Sequence, residues 1–299
     1  MLKTVTKALK ANRLLRALLI PIISTSRRLP FNIHRIFFKS FHFKLRDGSA
    51  LKIYSKGQIA PEVFRGTFEK QELNAFQGII RPGMTIVDAG ANIGLYSLIG
   101  SRLVGPKGRV FSFEPSGETF RRLLNNIGLN GFSNIEPFNN GLGDKSNERL
   151  ILRQDIGYGD AERYLLHENR APDIKVQNVN DMKVGEEILV DTLDNCLAKF
   201  DTKRIDFLKL DTEGFEYYVL KGAKQILENS SEIVILMECT ALGTARARTS
   251  QEDVFGILKE YDLNIFYWNA MSKNWCDDVA GTLKAGDVWG CKDKNQLKS

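Results

Sequence analysis

The sequence predicts an α/β fold, a mostly parallel sheet with helices on both faces, because three observations agree. Short β-branched runs alternate with helix-length segments, and a glycine-rich turn follows the first of those runs. Runs such as Ile233-Val234-Ile235-Leu236-Met237 are apolar without alternation, as strands covered on both faces must be.

Residues 1–60 read as an accessory preamble. Lys3, Lys7, Lys10, Arg13 and Arg16 precede Ala17-Leu18-Leu19-Ile20-Pro21-Ile22-Ile23, an apolar stretch far short of the ~20 residues that span a bilayer. Ser24-Thr25-Ser26-Arg27-Arg28 offers no small-residue cleavage site, so the segment does not read as an export signal. A basic amphipathic helix of this kind is expected to pack on the domain or on a partner subunit, with peripheral contact to an anionic membrane as the competing use. Phe41–Leu45 and Ala50–Tyr54 are expected as short strands around the Asp47-Gly48 turn. The alternation that makes Phe37, Phe38, Phe41 and Phe43 a half-buried strand argues against a stacking surface, and no nucleic-acid partner is expected.

Residues 61–292 read as the main domain. A helix over Glu69–Ile80 is stopped by Arg81-Pro82-Gly83, and Met84–Asp88 follows as a buried strand. Strand Arg109–Phe113, helix Gly117–Asn130 and strand Ile135–Phe138 continue the rhythm. It resumes with strand Asp206–Leu210, helix Phe215–Leu227 and strand Glu232–Met237; helix Gln251–Tyr261 and edge strands Asn264–Trp268 and Asp287–Cys291 complete it. Residues 145–190 interrupt with polar chain and Gly157, Gly159 and Pro172, and are expected to be an insertion of loops and short strands that serves as a substrate lid. Residues 293–299 are expected to fray as a tail.

A chain of 299 residues with 43% hydrophobic and 26% charged residues can bury a full core unaided. Cys196, Cys239, Cys276 and Cys291 are scattered, which excludes a zinc ribbon or disulfide framework and suits the cytoplasm. His34, His42 and His167 do not cluster with carboxylates, so neither a histidine base nor a zinc site is expected. The net charge of +6 permits an anionic partner without naming one.

The chemistry concentrates in Val87-Asp88-Ala89-Gly90-Ala91-Asn92-Ile93-Gly94, a strand, a glycine turn and a helix start. Ligands of open α/β sheets bind beyond the carboxyl ends of the strands, where this turn lies. A nicotinamide dinucleotide fingerprint needs G-x-G-x-x-G; with Gly90 as the second glycine, Asp88 and Ile93 occupy the other two slots. A carboxylate at Asp88 repels a pyrophosphate and suits a cationic ligand such as S-adenosylmethionine (AdoMet), which carries a sulfonium and an ammonium and no phosphate. Glu114, in Phe113-Glu114-Pro115, ends the second strand where an acid accepts from both ribose hydroxyls. Asn140 and Gly141, after the third strand, are placed to meet the adenine edge.

These motifs resemble those of the FkbM family of AdoMet-dependent methyltransferases. The resemblance adds Thr67-Phe68-Glu69, Val190-Asp191-Thr192-Leu193-Asp194, and Ile205-Asp206-Phe207-Leu208-Lys209-Leu210-Asp211-Thr212-Glu213-Gly214-Phe215-Glu216 with Val219-Leu220-Lys221-Gly222-Ala223, so it spans roughly residues 60–240. It implies a Rossmann-like class I methyltransferase sheet, AdoMet held by Asp88, Gly90, Asn92, Gly94, Glu114, Asn140 and Gly141, and methylation of a hydroxyl on a sugar or related small molecule. A carboxylate at the end of the fourth strand can take the acceptor's proton late in an in-line transfer, a task that falls to Asp211 and Glu213. Mg²⁺ held by Asp211 with Glu238 is the competing arrangement and lacks a third ligand. Glu216 is read as a first-turn acid favouring the helix dipole. The competing functions are methylation of a lipid-linked glycan at the cytosolic membrane face and a non-catalytic AdoMet-binding module.

Overall fold

A computed structural model describes residues 31–32, 38–55, 57, 59–154, 163–166, 185–269, 274–277 and 287–297. The basic N-terminal segment, His34, Phe37, His167, Gly157, Gly159 and Pro172 lie outside them. The chain divides into two compact units, Met1–Lys70 and Gln71–Ser299.

In the first unit, β1 (Ser40–Lys44) pairs antiparallel with β2 (Ala50–Tyr54). The turn between them uses Gly48 at positive φ, and the Asp47 carboxylate accepts from the Ser49 N–H and hydroxyl. Period-two alternation buries Phe41, Phe43, Leu51 and Ile53. Phe64, on α1 (Ala60–Arg65), meets Phe41 and Phe43 edge-on. That packing draws α1 into the hairpin's core, and the units divide after Lys70 rather than after residue 60.

The second unit opens within α2 (Lys70–Ile79) and continues with β3 (Thr85–Ala89), α3 (Leu95–Val104), β4 (Arg109–Phe113), α4 (Gly117–Asn130) and β5 (Ile135–Phe138). A stretch of four strands follows: β6 (Gly141–Leu142), β7 (Glu148–Gln154), β8 (Arg163–Leu166) and β9 (Glu186–Asp191). Then come α5 (Leu193–Ala198), β10 (Phe207–Leu210), α6 (Glu216–Lys221), α7 (Lys224–Asn229), β11 (Val234–Glu238), α8 (Ala241–Arg246), α9 (Gln251–Glu260), β12 (Asn264–Asn269), β13 (Asn274–Asp277) and β14 (Asp287–Cys291).

Among the described residues the main sheet has the order β13-β12-β14-β11-β10-β3-β4-β5. From β5 to β11 all neighbours are parallel; β14 enters antiparallel between β11 and β12, and β13 is antiparallel on the edge. The chain winds outward from β3 to β5, then returns to β3's other side with β10. The order therefore reverses between β3 and β10, the place where open α/β sheets form their binding crevice. Helices cover both faces. Val87, Ala89, Leu208, Leu210, Ile235 and Met237 pack with residues of α5, α6, α7 and α9. On the opposite face, Phe76 of α2 contacts Tyr96 of α3 and Phe207 of β10, and Ile86 and Val110 approach Gly100 of α3.

Two expectations need correction. The helix expected over Phe215–Leu227 is broken into α6 and α7 because Gly222 runs against another backbone: a Cβ there would sit 1.9 Å from the Gly143 carbonyl oxygen. The Asp194 carboxylate then accepts from Gln225 and Ile226 N–H, satisfying donors at the start of α7. The tail expected to fray instead forms a short 3₁₀ turn at Lys294–Leu297, with Leu297 buried and its carbonyl accepting from the Trp275 indole. Among the described residues, β7, β8 and β9 of the 145–190 stretch join β6 in a second sheet of order β6-β9-β7-β8; residues 155–162 and 167–184 lie outside the described residues. No helix among the described residues is long and apolar enough to cross a membrane.

Candidate active site

Three strand ends are laced together at the point where the sheet order reverses. Gly90 and Ala91 N–H donate to the Phe113 carbonyl at 3.0 and 2.9 Å, and Asp211 N–H donates to Ala89 at 3.0 Å. Gly90 takes φ +81° and passes so close to β10 that a Cβ would lie 1.8 Å from the Asp211 carbonyl oxygen. No other residue type fits there without displacing the strand. Gly94, at φ +93°, is the N-cap of α3, and a Cβ on it would strike Leu123 of α4.

Glu114 is buried at the end of β4, and both of its carboxylate oxygens are held by backbone donors. Oε2 accepts from Asn92 N–H and Oε1 from Ser116 N–H, each at 3.0 Å. The side chain thereby clamps the glycine turn to its own loop. After β5, Asn139 donates its amide to the Glu114 and Pro115 carbonyls, and Asn140 turns its amide to the Gly141 carbonyl at 2.8 Å.

The segment after β10 is the most constrained stretch of the site. Glu213 has φ +55° and Gly214 φ +102°, and a Cβ on Gly214 would lie 2.0 Å from the Gly243 carbonyl oxygen. Glu216, at the first position of α6, reaches back with Oε1 to accept from Thr212 N–H, Thr212 hydroxyl and Gly214 N–H. Burial pushes its carboxyl above the usual range, against the pull of those hydrogen bonds. Glu216 is thus more than the dipole-favouring acid expected of it; it is the peg on which the loop hangs. Asp211 receives Lys209 Nζ on Oδ2 at 2.9 Å.

An open cleft lies over these strand ends. It gathers Gly90, Asn92, Glu114, Asn140, Gly141, Asp211 and Glu213, all of them expected from the sequence. Asp88 and Gly94 do not line it. Asp88 lies beneath the turn, 1% exposed, where Oδ2 accepts from the Ser97 hydroxyl at 2.5 Å and Ser97 in turn receives Ser112. Burial raises its carboxyl, a shift opposed by the charge of Lys209 and the Ser97 hydrogen bond and reinforced by Asp211. Sequence reasoning missed Thr119, Leu142, Leu152 and Thr212, whose types carry no chemical signal, although all four line the cleft. It also passed over Lys209, whose signal is a charge inside the buried run Phe207-Leu208-Lys209-Leu210.

The family model of the FkbM methyltransferase domain matches residues 88–263. The chain belongs to the FkbM methyltransferase family. It is similar to Methyltransferase 1 of Beauveria bassiana, 29% identical over 176 residues that cover 56% of this chain and 70% of that protein. Methyltransferase sdnD of Sordaria araneosa is 29% identical over 157 residues, 47% of this chain and 60% of that one. Among solved structures, the methyltransferase FkbM of Methylobacillus flagellatus is matched at 17% identity and TM-score 0.41, over 78% of this chain and 53% of that one.

As an FkbM methyltransferase the protein uses AdoMet, and its cleft suits that cofactor. Three carboxylates line it, Glu114, Asp211 and Glu213, with no Lys or Arg among the lining residues. Such a wall favours a ligand with a sulfonium and an ammonium and opposes a pyrophosphate. Asp88 Oδ1, buried just below, has no hydrogen-bond partner among the described residues. The other family motifs serve the scaffold: Asp191 accepts from Asn195 and Thr192, and Thr192 caps α5. Burial drives the Cys196 thiol up to about 11 and the Cys239 and Cys291 thiols to about 12, so these cysteines are not poised as nucleophiles. Among the described residues no three His, Cys, Asp or Glu side chains gather to hold a metal ion, and Glu238 does not line the cleft.

Proposed function

We propose that this FkbM enzyme transfers methyl to a hydroxyl of a sugar or related small molecule, with Asp211 as the group that receives the acceptor's proton. The observation that carries the reading is the placement of Asp211. Asp211 lines the cleft, its backbone carbonyl against Gly90, and its side chain is 28% exposed with one carboxylate oxygen engaged by Lys209, which leaves the other for a hydroxyl donor. AdoMet, when bound, supplies an electrophilic methyl. Everything else is alignment and proton disposal.

Gly90, Asn92 and Gly94 form the turn that lets the cofactor approach the backbone. Glu114, oriented by two N–H donors at the end of β4, stands as the acceptor for the ribose hydroxyls. Asn140 and Gly141 border the adenine end, and Asp88 contributes negative charge from below. On the acceptor side, Asp211 accepts the hydroxyl hydrogen bond and Glu213 flanks it. Leu152 of β7 reaches the same cleft, which supports the 145–190 insertion as a wall of the acceptor site.

The test is incubation with methyl-labelled AdoMet and a panel of sugar, polyol and amine acceptors, comparing wild type with Asp211→Asn. Transfer to a hydroxyl that falls by about 100-fold or more in the folded variant is expected for loss of a proton acceptor. Transfer to amines alone, or full turnover by Asp211→Asn, refutes the assignment.

A further inference from the structure

Lys209 is the anomaly of the central sheet. It is 6% exposed on β10, between β3 and β11, at a position whose neighbours Phe207, Leu208 and Leu210 are fully buried. A buried ammonium is costly unless it is compensated. Here compensation comes from three sides. Asp211 Oδ2 lies 2.9 Å away, two residues along and on the same face of the strand. The ring of Tyr96 stands 4.8 Å from Nζ. Asp88, the register partner of Lys209 on β3, feels its positive charge. One cation is thus shared between a carboxylate sealed beneath the glycine turn and another exposed to the cleft.

We propose that Lys209 is a positioning residue that aims Asp211 into the cleft and cancels one unit of the negative charge the cleft presents to the cofactor. This rests on the cleft being the AdoMet site. Donor and product differ there by a single charge, because S-adenosylhomocysteine lacks the sulfonium. The ratio of their affinities therefore reads the charge that Lys209 sets, without any need for the methyl acceptor.

Calorimetric titration of AdoMet and S-adenosylhomocysteine into wild type, Lys209→Met, Asp211→Asn and the double variant tests it. Lys209→Met shifts the preference toward AdoMet on the order of tenfold, the scale of one unit charge at short range in a partly solvated site. Asp211→Asn shifts it the other way. The double variant, which removes a cation and an anion together, returns close to wild type. A Lys209→Met ratio within about twofold of wild type overturns the proposal, as does a double variant that behaves like Lys209→Met. If Lys209→Met does not fold, the charge-balanced double variant is expected to fold and bind both ligands; its failure as well makes Lys209 only a strut of the sheet and overturns the proposal. Wild type that binds neither ligand refutes the reading of the cleft itself, whereas binding with unshifted ratios refutes the role of Lys209 alone.

Discussion

Replacing Glu216 with alanine strips one acceptor from three donors at once. Thr212 N–H and hydroxyl lie 3.0 Å from Oε1 and Gly214 N–H 3.2 Å from it. Gly214 is buried and Thr212 half-buried. Counting about 1–3 kcal/mol for the buried donor and about 1 kcal/mol for each of the others, the substitution costs about 3–5 kcal/mol. Glu216→Gln behaves differently. It keeps an acceptor for the three donors and places its NH₂ where Oε2 now has no partner among the described residues. The pH dependence follows from burial raising the Glu216 carboxyl. A folded-state pKa above the unfolded one gives stability that is fully present below the unfolded pKa and lost as pH rises through the folded pKa. Wild type therefore gains on Glu216→Gln as the pH falls toward 4, and loses that advantage toward pH 8. Urea unfolding at both pH values measures the difference, and AdoMet titration reads the loop, since Asp211 and Glu213 sit on it. Glu216→Ala with wild-type stability to within about 0.5 kcal/mol and unchanged AdoMet affinity refutes the reasoning.

Gly90→Ala forces alanine to positive φ and drives its Cβ into the Asp211 carbonyl; it is expected to cost at least about 3 kcal/mol and to abolish AdoMet binding in calorimetry. Glu114→Ala removes the proposed ribose acceptor and strands two N–H donors, and is expected to lower AdoMet affinity by about 30- to 100-fold while thermal unfolding shows a native-like transition. Gly222→Ala is expected to lower the unfolding midpoint by several degrees through its collision with Gly143; equal stability to wild type counts against the close approach.

The sequence predicts β4, α4, β5 and β14 at the bounds the structure shows, because each is set by local pattern: an apolar run, a helical period, a glycine stop. What local pattern does not hold is decided at a distance. Gly222 ends α6 because of Gly143, Gly90 is required by Asp211, and β14 slips between β11 and β12, although it follows β12 in the chain. The same distinction runs through the site. Asp88, Glu114, Asp211 and Glu216 are each legible as carboxylates at strand or helix ends, yet the structure gives them four different environments. Glu114 and Glu216 are tied to backbone donors, Asp88 is sealed under the turn, and Asp211 alone of the four pairs a lysine with an opening to the cleft. Residue type named the candidates; partners and burial separate the proposed proton acceptor from the scaffold. The lysine that makes that separation was visible all along as the only charge in Phe207-Leu208-Lys209-Leu210. A charge inside a strand buried on both faces has to be compensated, and its partner is where chemistry is to be sought.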